Sequence, residues 1–192
     1  MYLLELVLLT GAIGISWTLL RLIARAPLRR AVVEGMFASY LVVVAFVVFS
    51  IGRLGRTGSA YSWQLVNLVP LRTILEFARS ENVPQAVRQV AGNVILFVPF
   101  GVLLPVMIAR FRSAAPLLLA AATASASIEI LQLVLGLTGL ASRSVDIDDL
   151  ILNTVGGLVG WAVWRGALAV REAFAPSRLT GPAGEEAVRE PA

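Results

Sequence analysis

Long runs of apolar residues alternate with short polar segments along most of the 192-residue chain. A helix needs roughly 20 mostly apolar residues to cross a bilayer. Five runs come close to or reach that length, at residues 3–20, 32–51, 94–109, 114–137 and 147–169. The pattern therefore predicts an all-α fold, a polytopic bundle of about five transmembrane helices.

Two segments do not follow this pattern. The longest connection, residues 52–91, mixes apolar and polar residues, and Leu71, Ile74 and Ala78 recur in it at helical spacing. Such a segment favours an interfacial helix between spans two and three. Residues 173–192 are rich in Pro, Gly, Ala and Glu, which predicts a disordered polar C-terminal tail behind one transmembrane domain of residues 1–172.

Composition agrees with a membrane protein and narrows its chemistry. Hydrophobic residues make up 58% of the chain and charged residues only 15%, against about 25% charge in soluble domains. Cysteine and histidine are absent, which excludes disulfides, thiol nucleophiles, haem ligation and the usual zinc sites. We therefore expect no cofactor and no metal site.

All basic residues are arginines that lie between hydrophobic runs, where they set topology rather than bind nucleic acid. Arginines follow spans one, three and five, which places those segments in the cytoplasm and the N-terminus outside. Arg53 and Arg56, close to the end of span two, oppose this orientation. We predict a multi-pass protein of the cell membrane with a cytoplasmic C-terminus, whose first partner is the lipid bilayer.

The polar residues of the spans fall at one depth. Glu129 lies about 12 Å below the outer end of span four, with Gln132 one turn above it on the same face. Asp149 and Asn153 share a face in the outer third of span five. The candidate ligand-binding residues at this level are Asn67, Arg72, Asn93, Glu129, Gln132, Arg143, Asp146, Asp149 and Asn153.

A carboxylate at the centre of a spanning helix costs about 2.5–3.5 kcal/mol, so Glu129 needs a partner or a proton. Arg143 or Arg72 can supply the partner. Alternatively, the cluster only locks helices together, although such contacts average about 0.6 kcal/mol.

Some of these residues can instead have a purely structural role. Asp148 and Asp149 can cap span five, the interpretation we favour for Asp148, and Asn93 can be an N-cap. Gly156-x-x-x-Gly160 is either a helix-packing face or a chance feature of a Gly-rich helix.

Four segments, in order, resemble those of VanZ-like proteins between about residues 60 and 165. They are Asn-Leu-Val-Pro-Leu at 67–71, Asn-Val-Ile-Leu-Phe-Val-Pro-Phe-Gly at 93–101, Glu129-x-x-Gln132, and Arg143-x-x-Asp146-x-x-Asp149-x-x-x-Asn153-x-x-Gly156. Leu71 departs from the family pattern, which suggests Phe there. The resemblance implies a bacterial cytoplasmic-membrane protein, in a family whose namesake is associated with resistance to teicoplanin.

Three functions compete. In the one we favour, a non-enzymatic cell-envelope protein binds an amphiphile at its outer cleft, either a lipid-linked cell-wall precursor or a lipoglycopeptide such as teicoplanin. In the second, a membrane enzyme acts on a phosphorylated lipid with a divalent metal held by Asp146, Asp148 and Asp149. Its general base would be Glu129 or Asp149, because histidine is absent. The third is a small transporter in which Glu129 titrates.

Overall fold

The computed structural model describes residues 2–50, 66–79, 83–138 and 145–174. These residues are mainly helical, which confirms the predicted all-α membrane-type fold. The helices are α1 (Tyr2–Ile23), α2 (Leu28–Ser50), α3 (Arg72–Ala78), α4 (Val83–Met107), α5 (Ala114–Leu137) and α6 (Ile147–Ala173), and a 3₁₀ turn occupies Ala109–Arg112. Two short strands, β1 (Val66–Asn67) and β2 (Val145–Asp146), pair in parallel.

Among the described residues, four helices are long and apolar enough to cross a membrane, over residues 3–23, 28–48, 87–107 and 114–137. The fifth long helix, α6, has 27 residues and measures about 40 Å at 1.5 Å per residue. It is long enough to cross but carries two carboxylates in its first turn and an arginine in its last. A fifth span therefore stays a prediction, as does the surface position of α3. The predicted tail falls outside the described residues from 175 onward.

Helix α4 begins at Val83, well before the apolar run that predicted it at Val94. Val83, Val87 and Val90 continue the apolar face toward the N-terminus, with polar residues on the other faces. Asn93 is therefore inside the helix, and its interpretation as an N-cap is wrong.

Helices α4 and α6 pack with their backbones in close contact. A Cβ atom added to Gly156 would lie 2.2 Å from the carbonyl oxygen of Val94, and one added to Gly160 would lie 2.1 Å from that of Val98. No side chain fits in these spaces. The Gly156-x-x-x-Gly160 spacing is therefore the face that lets α6 approach α4.

Helices α1 and α2 form a hairpin. Its helices are joined by a bond from Ser39 Oγ to the Thr10 carbonyl (2.8 Å) and by the Arg21–Glu34 ion pair. Tyr40 of α2 donates to the Leu96 carbonyl of α4 (3.0 Å), which attaches the hairpin to the rest of the bundle.

The up-and-down path gives the bundle two chemically different ends. The arginine end comprises the α1–α2 turn, the 3₁₀ turn and the C-terminal part of α6, with Arg21, Arg25, Arg29, Arg30, Arg110, Arg112, Arg165 and Arg171. The carboxylate end comprises α3, the first turns of α4, the last turns of α5 and the first turns of α6. Its carboxylates Glu129, Asp146, Asp148 and Asp149 are buried or half-buried, and its arginines Arg72, Arg79 and Arg88 are exposed.

Candidate functional site

Helix α5 supplies one wall of the site with a single buried face. Buried positions recur every three or four residues along it, at Leu117, Ala121, Ser125, Glu129, Gln132 and Gly136. The face changes from apolar to polar at Ser125, as it enters the carboxylate end. Glu129 and Gln132 are therefore held inside the bundle, as their shared face predicts.

Asp146 joins three segments of the chain at the start of α6. Its carboxylate accepts bonds from Asn67 Nδ2 (3.0 Å), Thr73 Oγ1 (2.5 Å) and the backbone N–H of Asp148 (2.9 Å). Its own N–H donates to Glu129 Oε2 at 3.2 Å. Asp146 is thus the N-cap of α6 and also fixes β1, α3 and α5 around that helix end.

The side chain of Asp148 binds the start of α3 and not the helix in which it lies. Its side chain is fully buried and accepts the backbone N–H of Leu71 (2.5 Å) and of Ile74 (3.1 Å). It lies in the first turn of α6, as predicted, but Asp146 is the N-cap of that helix and Asp148 binds N–H groups at the start of α3. Leu71 has a φ of 65°, a left-handed backbone conformation that is unfavourable for residues with a side chain. The hydrogen bond from its N–H to Asp148 helps to stabilise this conformation.

Asp149 connects α6 to α4. Asn93 Nδ2 donates to Asp149 Oδ1, and Gln89 Nε2 lies 3.4 Å from the same oxygen. All three residues are half-buried, unlike Asp146 and Asp148. This group is the more accessible side of the site.

Asn153 lies one turn deeper along α6. Its Nδ2 donates to Ser125 Oγ at 2.9 Å, and the residue is only 3% exposed. Its Oδ1 is buried and, among the described residues, accepts no hydrogen bond. Buried acceptors are rarely unsatisfied, so this atom suits a donor from a water molecule or a bound head group.

We call these residues the polar cluster. Of the predicted site residues, it contains Asn67, Asn93, Glu129, Gln132, Asp146, Asp149 and Asn153. Arg72 lies instead on the exposed face of α3, 58% exposed and ion-paired with Glu76 at 2.9 Å. Arg143 lies outside the described residues.

The prediction missed four members of the polar cluster, Thr73, Gln89, Ser125 and Asp148. Two of the four could be recognised from the sequence. Gln89 is a polar residue one helical turn before Asn93 on the same face, and Ser125 has the same relation to Glu129.

The described aspartates do not fit the divalent metal of the enzyme hypothesis. Both carboxylate oxygens of Asp148 and both of Asp146 already accept bonds from protein N–H or O–H groups. Across the described parts of the chain, three carboxylates, histidines or cysteines nowhere come together as metal ligands. In this arrangement Asp146 and Asp148 hold β1 and α3 on the start of α6.

An apolar groove of about 560 Å³ is formed by the same elements as the polar cluster. Helix α3 supplies one wall with Ile74, Phe77 and Ala78, and α4 the other with Val83, Val87, Val90, Ala91, Val94 and Ile95. Ile74 is bound through its N–H to Asp148, and Val94 follows Asn93 directly. Helices α3 and α4 thus contribute residues to both the polar cluster and the groove.

Comparison with known proteins gives one match. A family model described as VanZ/LLP1 matches residues 37–170, a stretch that holds α3 to α5, nearly all of α6 and most of α2. No curated protein and no solved structure matches the chain.

Proposed function

This chain belongs to the VanZ-like family, and we propose that its polar cluster and apolar groove together bind an amphiphile in the cell membrane. The observation that supports the proposal is that α3 and α4 contribute to both features. The head group of a ligand would meet Gln89, Asn93 and Asp149 while its chain follows the apolar face of the same helix, α4. Binding sites commonly combine an apolar wall with a few polar groups that fix orientation.

The chemistry of the polar cluster selects the head group. Its described side chains are carboxylates, amides and hydroxyls, and Asn153 Oδ1 is a buried acceptor. Acceptors of this kind suit hydroxyl and N–H donors, as on a sugar or a peptide, rather than a bare phosphate. Arg72, exposed on α3 beside the cluster residue Thr73, would supply a cation for a phosphate attached further along the ligand.

The groove positions the ligand more than it drives binding. Lipid tails are as apolar as the groove walls, so a chain that enters from the bilayer gains little free energy. Affinity and selectivity then come from the head group, and the groove sets where along α4 that head group sits.

These features favour a lipid-linked cell-wall precursor or a lipoglycopeptide such as teicoplanin, each with a donor-rich head and an apolar chain. The proposal places the carboxylate end on the outer side of a bacterial membrane, where such molecules are found. A protein that retains a lipoglycopeptide there would contribute to antibiotic resistance without catalysing a reaction.

The test is a binding titration of the purified full chain in nanodiscs with teicoplanin and with its deacylated form. Val87 is 58% exposed in the groove, and Val163 is 54% exposed on α6 away from it, so Val87→Trp and Val163→Trp form a matched pair. We expect saturable binding of teicoplanin that Val87→Trp weakens by about tenfold, or 1.4 kcal/mol, and Val163→Trp hardly changes.

Asn93→Ala is expected to weaken binding to a similar extent, since it removes the donor that positions the Asp149 carboxylate on the head-group side. Deacylated teicoplanin should bind more weakly than the acylated form, because it is no longer concentrated in the bilayer. Equal binding by the two Trp variants, or no saturable binding of teicoplanin, would overturn the proposal.

A further inference from the structure

A second cavity, of about 290 Å³, lies at the arginine end between the α1–α2 turn and the end of α4. Its lining includes the side chains of Arg29, Arg30 and Arg112 beside Val106 and Met107. It is at the opposite end of the bundle from the polar cluster, so its function does not depend on the one proposed above.

The positive charge of this cavity is only partly neutralised. Arg30 pairs with Glu34 at 2.8 Å, but Glu34 also pairs with Arg21. Within the described chain, neither Arg29 nor Arg112 has a carboxylate within ion-pair distance. Among the described residues, Glu34 is thus the one carboxylate ion-paired near this cavity, it is shared by Arg21 and Arg30, and a net positive charge remains.

One feature of the fold fixes the backbone at Arg112, and another adds positive charge beside Arg29 and Arg30. Trp161 Nε1 on α6 donates to the carbonyl of Arg112 at 3.2 Å, which fixes the 3₁₀ turn on the bundle. Arg29 and Arg30 lie in the first turn of the 23-residue α2, whose N-terminal backbone amides add partial positive charge.

We propose that this cavity binds a phosphate group, that of an anionic phospholipid in the leaflet at the arginine end. Guanidinium groups bind phosphate oxygens in a two-pronged geometry, and basic pockets between spanning helices are suited to anionic lipid head groups. Val106 and Met107 give the cavity an apolar side against which the lipid glycerol and first chain carbons pack. A free phosphate ion offers the same charge without that apolar part.

The experiment measures lipid binding to the detergent-solubilised full chain by native mass spectrometry. The probes are phosphatidylglycerol, phosphatidylcholine and inorganic phosphate. We expect phosphatidylglycerol to bind in preference to phosphatidylcholine. The double variant Arg29→Gln/Arg112→Gln should lower its affinity by about tenfold.

Arg110→Gln/Arg171→Gln removes the same charge from the arginine end without touching the cavity lining, and should change affinity by less than about twofold. Arg29→Lys/Arg112→Lys keeps the charge but not the two-pronged geometry and should bind more tightly than the Gln pair, which separates loss of charge from loss of fold. Equal losses in the two Gln pairs, or no preference for phosphatidylglycerol, would overturn the proposal. Inorganic phosphate binding as tightly as the lipid would overturn the assignment to a lipid.

Discussion

At the scale of residues, the three aspartates at the start of α6 differ in burial and in hydrogen-bond partners. Asp146 and Asp148 accept hydrogen bonds with both carboxylate oxygens from protein donors, and each is less than a tenth exposed. Asp149 is half-buried and faces Asn93 and Gln89 of α4. The first two therefore hold β1 and α3 on the bundle, and the third lies on the more accessible side of the site.

Asp148→Asn tests the structural role without changing side-chain size. An amide presents an NH₂ group to one of the two backbone N–H groups that Asp148 accepts, so one buried donor loses its partner. We expect destabilisation by about 2 kcal/mol, measured as a lower apparent Tm in detergent. Glu76→Gln on the exposed face of α3 is the control and should stay within about 0.5 kcal/mol. Equal shifts in the two variants would contradict the role of Asp148.

At the scale of elements, α6 is the helix on which the site is built. Glycines bring it against the backbone of α4, and its first two turns carry Asp146 to Asn153 between α3, α4 and α5. Because Asn93 and Asp149 stand on opposite sides of this contact, the distance between α4 and α6 sets the geometry of the more accessible side of the site.

Gly160→Ala and Gly166→Ala test this packing on one helix. A methyl group at 160 would lie 2.1 Å from the Val98 carbonyl oxygen, whereas one at 166 meets no atom within 4 Å. We expect Gly160→Ala to destabilise the fold by about 1–3 kcal/mol through overpacking. Gly166→Ala should leave it unchanged or stabilise it by up to about 1 kcal/mol, since alanine favours helix. Chemical or thermal unfolding in detergent compares the two, and the opposite order would rule out the close contact.

The sequence predicted elements better than contacts. Apolar runs mark helices because the bilayer fixes their length, and the shared faces of Glu129 with Gln132 and Asp149 with Asn153 follow from helical spacing. The sequence does not show which segments, far apart along the chain, contact each other. The pairing of β1 with β2 brings the first N–H groups of α3 to Asp148. The sequence predicts Arg72 in the polar cluster, but its neighbour Thr73 is the residue that binds there.

At the scale of the whole molecule, charge is arranged along the bundle axis. The arginine end carries the α1–α2 turn and the 3₁₀ turn, and the buried carboxylates lie at the other end. Short basic segments favour the cytoplasm, so this arrangement predicts that the carboxylate end faces outward.

Single-cysteine labelling measures that orientation without background, because the chain has no cysteine of its own. Ser113→Cys lies exposed at the arginine end and Thr138→Cys exposed at the carboxylate end. A membrane-impermeant maleimide should label position 138 in intact cells and position 113 only after permeabilisation. The reverse pattern would place the polar cluster in the cytoplasm.

Photocrosslinking tests most directly whether one amphiphile occupies the groove and the polar cluster together. A teicoplanin analogue with a diazirine at the end of its acyl chain is irradiated with the full-length protein in nanodiscs, and adducts are located by mass spectrometry. We predict adducts among the groove residues of α3 and α4, between Ile74 and Ile95, that excess unlabelled teicoplanin suppresses and that Asn93→Ala reduces. Adducts spread over the lipid-facing surface of α1, or insensitive to competitor, would contradict the proposed site.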